Sequence, residues 1–259
     1  MSERILKALM QLFALVAKVD SVNHDGKSVV EVFLKQQLNA ELVTQYLSLF
    51  EEFLEKHQKI SKRKEGKERK RTSVNSVKVL RICTQINEEL QQKQKIVVLI
   101  RLLEFIFAGD YSEQEIEFIT TVSETFNIPA EEFKESMAFV ISSDEHIPDN
   151  ENFLIIHKAI DFKYEKAKVI EQTQLDGAVK ILRLEESGNY IAKYCGDEAI
   201  YINGQVIDNN RVYFLAHGSS IRSKKLSPVY FSDITSLYRT EEETQRIDFV
   251  VDKLGYNFP

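Results

Sequence analysis

Apolar side chains in the first half of the chain recur every three or four residues. Ile5, Leu9, Leu12, Phe13, Val16 and Val19 share one side of a helix whose other side carries Lys7, Gln11 and Lys18. Basic flanks and an apolar centre make this stretch look like a secretory leader, but its helical period marks it as a core-facing amphipathic helix. The same period predicts helices over Ser2–Val19, Ser28–Leu38, Ala40–His57, Val77–Gln91, Lys95–Ala108, Ser112–Phe126 and Pro129–Ser142. After Asp176 the period becomes two. AVKILRL, NYIAKY, AIYI, QVI, RVYFL and PVYF read as short strands rich in Val, Ile, Tyr and Phe. Asn203-Gly204 predicts a type I′ hairpin between two of them, because both central residues of that turn need positive φ. Gly26, Gly66 and Gly109 are the glycines of the first half, and all others follow Asp176. The chain therefore reads as α+β. The expected order is a helical domain at 1–150, a charged connector at 151–176, a small antiparallel sandwich or barrel at 177–238, and a linker with one further strand at 239–259.

Composition narrows the function classes. The 259 residues are 43% hydrophobic and 29% charged, which excludes collagen-like and wholly disordered chains. No apolar run approaches the roughly 20 residues of a bilayer-spanning helix. A net charge of −6 has the wrong sign for a surface devoted to phosphate backbone, so nucleic acid is not an expected partner. Cys83 and Cys195 lie far apart without a CxxC, which fits a reducing cytoplasm and encodes neither a disulfide framework nor a zinc site. The histidines are scattered, and no H-E-x-x-H, G-x-S-x-G or P-loop string occurs. The expectation is a chain with no catalysis and no cofactor of its own.

The helical half contains one pattern twice. VAKVD leads to SVVEVFLKQQL and NAELVTQYLSLF, and IFAGD leads to SEQEIEFITTVSETF and NIPAEEFKESMAFV. Each copy runs helix, acidic turn, S-x-x-E helix start, then a helix opened by Asn. In S-x-x-E the Ser caps a first-turn amide while the Glu reaches back to the cap residue, roles expected of Ser28 with Glu31 and of Ser112 with Glu115. An apolar helix, an acidic turn and S-x-x-E, repeated, resemble the TerB-like (tellurite-resistance protein B-like) helical fold over residues 1–145. That resemblance implies two helical halves related by a pseudo-twofold axis. Asp20, Asp25, Glu31, Asp110 and Glu115 are the candidate hard-cation ligands, since carboxylates from a turn and its following helix can converge. The reading taken here is that they favour helix starts through the helix dipole, with no metal bound.

Between the copies, KHQKISKRKEGKERKRTSV is a dense basic run, expected to form a solvated loop over residues 59–73. Its functional alternative is contact between residues 59–71 and anionic lipid of the inner leaflet, worth about 1 kcal/mol per basic residue. Further on, AIYINGQVIDNNRVYFLAHGSSIR resembles the second half of a forkhead-associated (FHA) domain. Members of that family read phosphothreonine, and Arg183, Ser219, Ser220 and Arg222 are the candidate anion contacts here. A docking or spacer role is the preferred reading.

Residues 247–259, IDFVVDKLGYNFP, alternate apolar and polar positions. They resemble the opening strand of ABC-transporter ATPase domains, with Phe258, or alternatively Tyr256, at the place of the aromatic that stacks on adenine. Together the resemblances imply the N-terminal accessory region of a bacterial ABC transporter ATP-binding protein, cut before its P-loop. The implied partners are the ATPase domain in cis, with its ATP and Mg, a transmembrane transporter subunit, and a homodimer mate. The implied location is the cytoplasmic face of the inner membrane. The rival reading is a two-domain binding protein whose TerB-like half senses a metal.

Overall fold

In the computed structural model, residues 3–17, 24–35, 38–62, 68–142, 147–158 and 164–238 are described. Helices α1 (Glu3–Val16), α2 (His24–Lys35) and α3 (Ala40–Lys62) make the first repeat, and α5 (Gln92–Phe107), α6 (Glu113–Thr125) and α7 (Ala130–Ile141) the second. Helix α4 (Glu68–Glu89) lies between them in sequence and packs on α1 and α6. The parallel is one of packing, since α1 lies on α3 as α5 lies on α7. Phe13, Phe33, Phe50 and Phe105 meet ring to ring at 5.7–6.2 Å, each buried ring contributing about 1.5–3 kcal/mol. Helix α5 also touches α1, α2 and α6, which explains why it is apolar almost all round.

Helix ends follow local chemistry, though not always at the expected residue. The Asn39 side-chain oxygen accepts the Leu42 N–H at 3.0 Å and caps α3. The Glu115 carboxylate accepts the Ser112 N–H and hydroxyl, both at 2.7 Å, which gives the expected capping box at α6. Ser28 does not cap. Helix α2 begins four residues earlier, at His24, so Ser28 sits in its second turn and Glu31 pairs with Lys35 at 2.7 Å. Asn127 does not open α7 either. With φ at 54° it ends α6 in a Schellman motif, in which the Ile128 and Asn127 N–H groups bond the Ser123 and Glu124 carbonyls. The loop expected over 59–73 is likewise corrected at both ends, because α3 continues to Lys62 and α4 starts at Glu68. Lys, Arg and Glu are good helix formers when their charges stay in water.

The stretch expected to be a charged connector is part of a sheet. It supplies β1 (Phe153–His157) and β2 (Lys168–Glu171), which join β3 (Ala178–Leu184), β4 (Asn189–Cys195) and β7 (Val212–Leu215) in the order β2-β1-β3-β4-β7. The β1–β2 pair is parallel and the other pairs are antiparallel. A second sheet has the order β6-β5-β8-β9, from β5 (Tyr201–Ile202), β6 (Gln205–Val206), β8 (Ser220–Arg222) and β9 (Val229–Tyr230). Strand β8 and the short helix α8 (Phe231–Ser236) were not foreseen from the sequence. Asn203 and Gly204 have φ of 54° and 80°, the signs a type I′ hairpin requires between β5 and β6.

The central strands β1, β3 and β4 are buried on both faces, with alternation assigning each residue a side. Phe153, Ile155, Ala178, Leu182, Leu184, Ile191 and Val212 join the core of the helical half. Leu154, Ile156, Val179, Ile181, Ala192 and Tyr194 join Ile200, Ile202, Ile221 and Val229 in the core between the two sheets. Helices, first sheet and second sheet therefore form successive layers, with one hydrophobic core crossing residue 150. No helix among the described residues is long and apolar enough to cross a membrane.

Candidate functional site

Polar chemistry concentrates where the helical half meets the first sheet. Arg101 and Glu104 lie one turn apart on α5, are 1% and 6% exposed, and form an ion pair. Strand β7 is an edge of its sheet, so its outward backbone groups need partners. The Arg101 guanidinium donates to the Val212 carbonyl at 2.8 Å, and the Glu104 carboxylate accepts the Val212 N–H at 2.9 Å. Two side chains thus satisfy both backbone groups of one edge residue. Arg101 also lies over the Phe214 ring, 5.7 Å from its centroid. Nearby, Arg211 donates to the Ser28 hydroxyl at 2.9 Å, a second tie between the halves.

Helix α7 is held at both ends. Lys180 and Lys193 face each other across β3 and β4, and both are buried. The Lys193 ammonium donates to the carbonyls of Val140 and Ser142, each at 2.8 Å. Lys180 donates to the Ser142 carbonyl at 3.1 Å and to its hydroxyl at 2.9 Å. Cations at a helix C-terminus meet unpaired carbonyls and the negative end of the dipole. In the first turns of α7, Glu132 accepts the Glu186 N–H at 3.0 Å, and Glu135 accepts the Asn150 and Asn152 side-chain amides at 2.7 and 3.2 Å. Burial pushes the Glu132 and Glu135 carboxyls above the ordinary glutamate value, against the lowering effect of these hydrogen bonds. What this arrangement does chemically is hold backbone: it fastens two helices to one sheet through groups that tolerate no slippage of register.

The residues singled out from sequence are spread apart. Asp110 is exposed in the turn after α5, Glu115 bonds Ser112, and Glu31 bonds Lys35. Asp25 stands in the first turn of α2 with its side chain outside the described residues, where Asp20, Tyr256 and Phe258 also lie. Among the described residues no three His, Cys, Asp or Glu side chains converge as a metal site. The candidate phosphate contacts are divided between the sheets. Arg183, on β3, pairs with Glu185 at 3.0 Å and lies over Tyr238. Arg222, on β8, bonds the Ser220 hydroxyl at 3.2 Å and lies over Tyr230. Ser219 is buried, and its hydroxyl accepts from the Ala216 N–H and the Asn203 amide at 2.9 and 3.2 Å. A cleft of about 370 Å³ opens at the ends of β1 and β2, lined by His157, Lys158, Asp176 and Lys225 among others.

Sequence reasoning missed Arg101, Glu104, Glu132, Lys180 and Lys193. The available signal was charge inside apolar runs: Arg101 and Glu104 interrupt IVVLIRLLEFIF, and Lys180 interrupts AVKILRL.

Residues 6–138, just over half of the chain, match the family model described as tellurite resistance protein TerB. No curated protein and no solved structure matches the chain.

Proposed function

Because the chain belongs to the tellurite resistance protein TerB family through its helical half, we propose that it is an accessory docking and regulatory region acting on an ATP-driven transporter. The observation that carries this reading is the double joint. Helix α5 grips β7 and the first sheet grips α7, a joint through which an event on the TerB half would reach the sandwich. A regulatory region needs that stiffness, since loosely linked modules move independently.

The partner we propose is an ABC-type ATPase domain joined in cis, which would hold the ATP and Mg, on the cytoplasmic face of the inner membrane. Its support is the resemblance of residues 247–259 to the opening strand of such domains, and those residues lie outside the described ones. The TerB match does not by itself tie the chain to a transporter. Continuing the reading frame past Pro259 tests the proposal directly. It should encode a P-loop and an LSGGQ-like signature within about 200 residues, the span of one domain. A frame that closes without them refutes the ABC reading and leaves the TerB assignment standing. Residues 1–259 alone should show no Mg-dependent ATP turnover, and turnover that follows the purified chain through chromatography would contradict the accessory role.

A further inference from the structure

Charge is segregated along this chain. Between Lys59 and Arg81 stand ten Lys or Arg and two Glu, a local balance of +8 in a chain whose total is −6. Lys59 and Lys62 fall in the last turn of α3, and Arg69, Lys70 and Arg71 in the first turn of α4. Residues 63–67 and the side chains of residues 57–76 lie outside what is described and take no part in the geometry. Farther along α4, Val79, Ile82, Cys83 and Ile86 turn into the core. On other sides of the same helix, Val77 is 65% and Leu80 45% exposed, next to exposed Lys78 and Arg81. Val77 and Leu80 are three apart, so they emerge on one face with cations beside them.

We propose that this face of α4, built from Val77, Lys78, Leu80 and Arg81, is a docking surface for an anionic lipid bilayer. Aliphatic side chains flanked by Lys and Arg suit the boundary between headgroups and acyl chains, where the apolar tips enter and the ammonium and guanidinium groups stay at the phosphates. The strong negative balance of the remaining residues is repelled by the same bilayer, which orients the molecule with the Val77–Arg81 face of α4 toward it. Nucleic acid fits the charge but not the apolar chemistry, because no Phe, Tyr or Trp lies between residues 59 and 81 to stack on bases. The surface stands independently of the transporter reading, since its ligand is lipid alone.

The test is flotation of the full chain with protein-free vesicles of phosphatidylcholine, or of phosphatidylcholine mixed with phosphatidylglycerol. Binding is expected only to the mixed vesicles, and it should fall steeply with added salt. Lys78→Glu with Arg81→Glu should weaken it about tenfold or more. Val77→Ser with Leu80→Ser should weaken it at constant charge while leaving the circular dichroism spectrum unchanged, since both side chains point to water. No binding to the mixed vesicles at low salt overturns the proposal. So does binding that neither double variant alters, or a preference for an oligonucleotide over the mixed vesicles at matched salt.

Discussion

Glu104→Ala removes the acceptor half of the grip that α5 holds on β7. Arg101 is 1% exposed, so its guanidinium would remain in the core without the Glu104 carboxylate it pairs with. Removing one partner of a buried ion pair costs about 3–5 kcal/mol. The Val212 N–H also loses its acceptor, and an unsatisfied buried donor costs about 1–3 kcal/mol. Both losses come from one carboxylate and overlap, so the expected destabilisation is about 4 kcal/mol, a large part of the 5–15 kcal/mol typical of folded domains. Arg101→Met with Glu104→Leu removes both charges of the pair and should recover at least about 1 kcal/mol of that loss. It should remain below wild type, because the N–H and C=O of Val212 still lack partners. Urea unfolding followed by circular dichroism gives the three free energies, and hydrogen exchange at the Val212 amide reports the grip itself. A loss under about 1 kcal/mol for Glu104→Ala, or a double variant no more stable than the single one, would refute the reasoning.

The other expectations are local. Glu132 and Glu135 are protonated more readily when folded, so the stability they contribute is present at low pH and lost as pH rises from the ordinary glutamate value through their raised folded values. Wild type should therefore lose stability relative to Glu132→Gln over that window. The difference between the two proteins is the quantity to measure, because Asp149 and Glu52 are held low and give the opposite trend. Ser112→Ala should cost about 0.5–2 kcal/mol by thermal melting, through the α6 cap, and added Ca²⁺ or Mg²⁺ should not alter that figure. Ser28→Ala should instead cost about 0.5–1.5 kcal/mol by releasing Arg211, with the start of α2 unchanged in hydrogen exchange. Burial pushes the Cys83 thiol up to about 12, so iodoacetamide at pH 8 should modify it only after unfolding. Labelling of the native protein at Cys83 would show that α4 opens.

Local readings succeeded where the determining physics is local. The period of three and four located seven helices, because a one-sided apolar stripe survives whatever it packs against. The Asn-Gly turn was legible because its backbone angles exclude most other residues. Errors came where a neighbour decided. Ser28 fits a cap by spacing, yet Arg211 from the β half takes its hydroxyl and α2 starts earlier. FLIIH is a short apolar run without alternation, a pattern shared by buried strands and buried helix segments. Its assignment to β1 depends on helices covering one face and the second sheet the other.

The sequence by itself determined that the chain is α+β, that a repeated helical half comes first, and that strands dominate after Asp176. Each of these is carried by residues close together in the chain. Only the tertiary structure decided that the two halves are joined through a common core and that Arg101, Glu104, Lys180 and Lys193 do the joining. A charged side chain in an apolar run is a defect to any local reading. It becomes a fastening only when folding brings it to a backbone carbonyl or N–H from another element that would otherwise be buried without a partner.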